Sequence, residues 1–124
     1  MTQIRQERLA DAALFAHGHL DAPLSSETLA AIANLSVHAF HRRFRAVFGE
    51  TPAAYVRRLR LERAAWRLQL HGDSILSIAL DCGFGDHETF SRAFRRAHGM
   101  APGAFARRDA AVLVPPAAAP AERR

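Results

Sequence analysis

Ser36-Val-His38-Ala-Phe40-His41-Arg42-Arg43-Phe44-Arg45-Ala-Val47-Phe48-Gly49 reads as one helix with a stop signal at each end. A serine side chain at the start can accept a bond from a free backbone N–H, and a glycine at the end tolerates the left-handed turn that closes a helix. Between them Phe40, Phe44, Val47 and Phe48 fall at i, i+4, i+7 and i+8, the spacing of a buried stripe, while His38, His41, Arg42 and Arg45 share the opposite face. Fifty residues on, Asp86-His87-Glu88-Thr-Phe90-Ser91-Arg92-Ala-Phe94-Arg95-Arg96-Ala97-His98-Gly99 repeats the pattern. Phe90, Phe94 and Ala97 face inward there, and His87, Glu88, Ser91, Arg92 and Arg95 outward.

The repeat extends both ways. Upstream, Leu29-Ala30 and Leu35 match Ile78-Ala79 and Phe84 at an offset of 49; after one inserted residue, Gly49, Pro52, Tyr55 and Arg57-Arg58 match Gly99, Pro102, Phe105 and Arg107-Arg108 at an offset of 50. Ser25 and Ser74 stand where the caps of two further short helices belong. These ordered matches predict two helix-turn-helix units, at about residues 25–48 and 74–98. Thr51-Pro52 reads as an N-cap with proline at the first helical position, opening a helix over about 52–70 that closes at His71-Gly72. Such a helix is about 28 Å long and joins the units.

A first helix, about Thr2 to His17, carries Ile4, Leu9, Ala12, Ala13 and Phe15 and ends before Gly18; the turn Asp21-Ala-Pro-Leu24 follows it. Pro102 opens a last short helix ending near Arg108. Neither period-two alternation nor an Asn-Gly or Asp-Gly hairpin occurs, so the expected class is all-α, with about seven helices in one domain over residues 1–108. Residues 109–124 are proline-rich and of low complexity and read as a disordered tail.

The chain has 124 residues, 49% of them apolar, and no run of eighteen apolar residues or apolar leader core. These features predict a cytoplasmic protein with no membrane partner. Cys82 is the sole cysteine, which suits a packed core and a reducing compartment better than zinc or disulfide chemistry. All seventeen basic residues are arginine, against twelve acids, for a net charge of +5. From Ser36 to Leu70 eight arginines face two acids, Glu50 and Glu62. Acidic partners are expected, and the arginine fork suits both phosphate oxygens and guanine edges.

The outward faces of the two repeated helices fit a major groove, because every side chain on them can hydrogen-bond. Two reading helices on one side of a duplex need to lie about one turn, roughly 34 Å, apart. The joining helix is a suitable spacer, and being somewhat shorter it predicts bent DNA. Helix N-termini offer N–H groups to phosphates, and Ser36 and Asp86 lie at those ends. The Asp86 carboxylate would repel a phosphate, so it is expected to cap inward.

Ile78-Ala79, Gly83-Phe84, Phe90-Ser-Arg-Ala-Phe94-Arg-Arg, Gly99, Pro102 and Phe105 together resemble the signature of AraC-type (AraC/XylS) transcription regulators. The likeness covers about residues 7–108 and includes Leu29-Ala30, Ser36, Phe44, Gly49, Pro52-x-x-Tyr55 and Arg60-Leu61-Glu-Arg-Ala64. It implies a seven-helix, two-unit DNA-binding domain whose third and sixth helices enter successive major grooves, and an activator that touches RNA polymerase. Carried over by position, the resemblance puts base contacts on His38, His41 and Arg42, and on His87, Glu88, Ser91 and Arg92. Arg42 and Arg92 suit guanine, and Glu88 suits a cytosine amino group. Phosphate contacts are expected from Ser36, Arg43, Arg45, Arg57, Arg58, Arg95 and Arg96. The sequence departs from the family pattern at Gly85, where a capping residue is common, and at Glu88, where a neutral polar residue is. Sequence preference is therefore expected mainly from the first unit.

Family members usually carry a second, effector-binding or dimerising domain, and only about six residues precede the matching region here. This resembles the stand-alone members, which implies a monomer on an asymmetric site with no small-molecule effector; the alternative is the DNA-binding fragment of a longer effector-responsive regulator. A helical protein-interaction module is the rival from another class. No catalytic motif, cofactor loop or set of metal ligands at suitable spacing is found, so neither an enzyme nor a metal site is expected, in spite of seven histidines.

Overall fold

Side-chain oxygens start the helices at the expected places. In the computed structural model, which describes residues 2–70 and 72–108 and only the backbone of residues 2–7, Ser25 accepts from the Thr28 N–H, Ser36 from Ala39, Ser74 from Ser77 and Asp86 from Thr89. Thr51 accepts from Ala54 at 3.2 Å. The helices are α1 (Thr2–Gly18), α2 (Ser26–Ala33), α3 (Val37–Phe48), α4 (Pro52–Gln69), α5 (Ile75–Asp81), α6 (His87–His98) and α7 (Pro102–Ala106). No strand occurs among the described residues. The expected disorder of residues 109–124, the His71 stop and the Ile4 side chain lie outside the described residues.

Gly49 and Gly99 close α3 and α6 at φ +79° and +81°, each N–H returning to the carbonyl of Arg45 or Arg95. Any residue with a Cβ is strained in that conformation. α2 and α5 differ here: Asn34 makes the left-handed turn after α2 at φ 62°, and Gly83 does so after α5 at φ 92°. The residue inserted between α5 and α6 is Gly85, which lies one place before the cap. Asp86 itself caps α6, with its carboxylate turned onto Thr89 as expected.

The chain divides into two compact units, Met1–Leu59 and Arg60–Arg124, each with its own core. In the first, α1 contributes Leu9, Ala12, Ala13 and Ala16, α2 Leu29, Ala30 and Ala33, α3 Phe40 and Phe44, and the start of α4 Val56 and Leu59. In the second, the rest of α4 contributes Leu61, Ala64, Ala65 and Leu68, α5 Ile78 and Ala79, α6 Phe90 and Phe94, and α7 Phe105, with Cys82 among them. Burial raises the Cys82 thiol pKa and so disfavours the reactive thiolate.

Ring geometry repeats with the sequence. Phe40 and Phe44 lie 5.4 Å apart at 56°, Phe90 and Phe94 5.6 Å apart at 53°. Phe44 meets Tyr55 edge-on at 5.2 Å, as Phe94 meets Phe105 at 5.2 Å. Each such pair adds about 0.5–1.5 kcal/mol beyond its burial. The expected stripe needs one correction in each unit: Val47 is 44% exposed and Ala97 is exposed. The core ridge runs along i and i+4 and drifts about 40° per step, which carries it toward position 48 or 98 and leaves 47 and 97 at its margin.

Candidate nucleic-acid interface

α3 is held to its unit by Phe40 and Phe44, which turns the opposite side outward. His38, Arg42 and Arg45 are exposed there, and His41 is half-buried. The His41 ring is anchored, with Nε2 3.0 Å from the Ser26 hydroxyl on α2. On α6 the same pattern recurs: Glu88, Arg92 and Arg95 are exposed, as is His87, and Ser91, matching His41, is half-buried. Ser91 Oγ lies 3.5 Å from His87 Nδ1, too long for more than a weak bond.

The two faces differ in charge. α3 has no acid in its first turn, whereas α6 carries Glu88 there, favourably placed at the positive end of the helix dipole. One turn on, Arg92 Nη1 donates to Glu88 Oε2 at 3.0 Å, with side chains 65% and 80% exposed. Water screens a pair so exposed, and it contributes little to stability. Asp86 is acidified below the usual carboxylate range, first by the bond from the Thr89 N–H and then by the Thr89 hydroxyl. It stays ionised as a cap.

The residues expected at phosphates fall into two groups. Arg45, Arg57, Arg95 and Arg96 are exposed. Arg43 is half-buried with Nε sealed from solvent and unbonded, at the position that Ala93 fills in the second unit. Arg58 donates from Nε and Nη2 to Glu50 Oε2 at 3.1 and 2.7 Å and lies over the Tyr55 ring at 5.4 Å. Arg108 repeats the stacking over Phe105 at 5.2 Å. The Ser36 hydroxyl oxygen accepts the capping bond from the Ala39 N–H, and its own O–H can still donate. Ser26 and Glu50 thus act on expected site residues without having been read from the sequence, since neither partnership follows a helical spacing.

Two helix-turn-helix units that present matched hydrogen-bonding helices define a double helix-turn-helix scaffold. A family profile described as a helix-turn-helix domain matches residues 29–108. The chain is 37% identical over 99 residues to the right origin-binding protein of Escherichia coli K12, covering 80% of this chain and 34% of that protein. It is 39% identical over 84 residues to the transcriptional activator RhaS of Enterobacter sp. strain 638, covering 68% and 30%. Among solved structures, the DNA-binding domain of the global transcriptional factor AdpA, in complex with a target DNA, is 32% identical with a TM-score of 0.76, covering 94% of this chain and 96% of that one. An AraC-type regulator from Chromobacterium violaceum is 31% identical with a TM-score of 0.76, covering 82% and 90%. The chain belongs to the AraC-type helix-turn-helix family, whose fold is that of DNA-binding transcription regulators. It spans about a third of the length of the curated relatives it matches.

Proposed function

We propose that residues 1–108 form a domain that binds double-stranded DNA sequence-specifically, with α3 and α6 in successive major grooves, and that it activates transcription by touching RNA polymerase. One observation carries the reading: an outward hydrogen-bonding face occurs twice, on helices fixed by equivalent phenylalanine pairs. His38, His41 and Arg42 on α3, and His87, Glu88, Ser91 and Arg92 on α6, are the proposed base readers. Ser36, Arg43, Arg45, Arg57, Arg58, Arg95 and Arg96 are proposed for the backbone, where Arg58 must leave Glu50 to reach a phosphate. The RhaS relatives, which are activators by name, and the AdpA domain, which holds a target DNA, support this direction.

Because α3 and α6 carry different residues, the two half-elements of the site differ, and one monomer in the cytoplasm occupies an asymmetric site. No cofactor takes part. A second reading, the DNA-binding part of a longer effector-responsive regulator, is favoured by relatives about three times as long as the matched region; DNA reading is common to both. Titration of duplex DNA at two salt concentrations tests the proposal. Released counterions make log K fall with log salt by about 0.9 per phosphate contacted, so affinity should drop steeply. Binding indifferent to salt would point to a protein-interaction module instead.

A further inference from the structure

On the proposal that α3 meets base edges, how sharply the first unit reads depends on what holds its side chains. His41 sits on that face between His38 and Arg42, and its Nε2 is held 3.0 Å from the Ser26 hydroxyl. Ser26 is the first residue of α2, and the capping role belongs to its neighbour Ser25, whose oxygen accepts from Thr28. The Ser26 side chain is therefore not needed to start its own helix. His41 itself is half-buried, so part of its ring stays open to solvent beside that bond.

A neutral imidazole has one donor and one acceptor nitrogen, and a hydroxyl can answer either, so the Ser26 bond fixes the place of the ring and not its tautomer. An imidazole held at a single atom by a neighbouring helix also loses its freedom to flip. Both effects turn an adaptable ring into a reader of fixed orientation. The second unit has no equivalent: the residue matching Ser26 is Ile75, which packs on the core, and the residue matching His41 is Ser91.

We propose that Ser26 is a positioning residue that determines specificity without touching a base, by holding His41 Nε2 and so fixing the orientation in which the ring meets the groove. Discrimination at a single base pair of the α3 half-element then depends on a hydroxyl on a different helix.

Selection of bound duplexes from a random library with the wild-type chain, Ser26→Ala, Ser26→Thr and His41→Ala tests this, together with long-range nitrogen NMR of the His41 ring in the free protein. Ser26→Ala should lower the preference at one base pair by about five-fold, the worth of one neutral hydrogen bond. That pair should be the one His41→Ala loses, binding to unselected duplex should stay unchanged, and Ser26→Thr should restore the preference. The His41 Nε2 signal should show a hydrogen bond in the wild-type chain and its loss in Ser26→Ala. An unchanged motif and unchanged ring signals in Ser26→Ala would overturn the role of Ser26. A wild-type chain that enriches no motif would instead contradict DNA reading itself, and the ring signals would then decide the brace alone.

Discussion

Arg42 and Arg92 stand at matched places on α3 and α6, but the residue one turn earlier is His38 in one and Glu88 in the other. Arg92 Nη1 donates to Glu88 Oε2 at 3.0 Å, so part of its donor fork is already engaged. Arg42→Ala should remove specific binding, since a bidentate arginine supplies about 1–3 kcal/mol of discrimination. Glu88→Ala should have a smaller effect on specific affinity and should tighten binding to unselected duplex; equal losses in a mobility-shift comparison would refute the ranking. His98 yields a second residue-scale prediction. It stands where the first unit has Phe48, with Phe94 at 4.4 Å and Phe105 at 5.6 Å against 4.3 and 5.5 Å around Phe48. Burial pushes its pKa below the ordinary 6.5, opposed by a bond to the Leu61 backbone and by Glu62. The unfolded chain therefore binds the proton more readily than the folded one, and stability present above pH 6.5 is lost as pH falls toward the depressed folded value. Thermal melts should show this acid slope, and His98→Phe should flatten it; an unchanged slope would contradict the assignment. Sequence spacing finds which residues share a helix face, so the outward sets on α3 and α6 are legible in it. It does not find Ser26 beneath His41 or Glu50 beside Arg58, because those meetings depend on how helices and turns fold back on one another.

Element boundaries are the most legible feature, because the starts of α2 to α6 are written as a side-chain oxygen at a fixed place and each reading helix ends on glycine. Caps act locally, so a sequence window contains the whole interaction. Ser74→Ala should therefore cost about 1 kcal/mol, as expected for the loss of one cap, and should lower the melting temperature without altering the fold. Thr51 shows the same legibility, and Ala101, its counterpart before α7, shows its limit: α7 has no side-chain cap and begins with proline alone. Packing at the ends of α3 and α6 was less legible. A helical wheel places Val47 with Phe40 and Phe44, yet whether neighbours reach the last turn is a tertiary matter, and there the core follows Phe48 instead. Gln69 is a further case, buried in α4 with its amide donating to the Phe105 carbonyl at 2.8 Å, a contact 36 residues distant in sequence. In the ridge itself, Phe94→Ala should cost about 3–5 kcal/mol, since its ring is fully buried and its removal leaves a cavity among Phe90, His98 and Phe105. Chemical denaturation would show it.

At the scale of the whole chain, the internal repeat is what makes the fold readable, since each half confirms the assignment of the other. The two cores are separately composed, and α4 gives its first part to one and the remainder to the other. Its eighteen residues give a length of about 27 Å, and with the two reading helices proposed for grooves roughly 34 Å apart, bending of the duplex belongs to that same proposal. Circular-permutation mobility shifts should then depend on site position, and shifts independent of position would count against bending. Both α3 and α6 are proposed to read sequence, α3 the more strongly. Selection of bound duplexes from a random library, with the wild-type chain beside Arg42→Ala and Arg92→Ala, tests that claim most directly. The expected result is two short, unlike half-elements about one turn apart, lost altogether in Arg42→Ala and narrowed to the α3 half in Arg92→Ala. Enrichment of no motif, or of one that Arg42→Ala leaves intact, would contradict it.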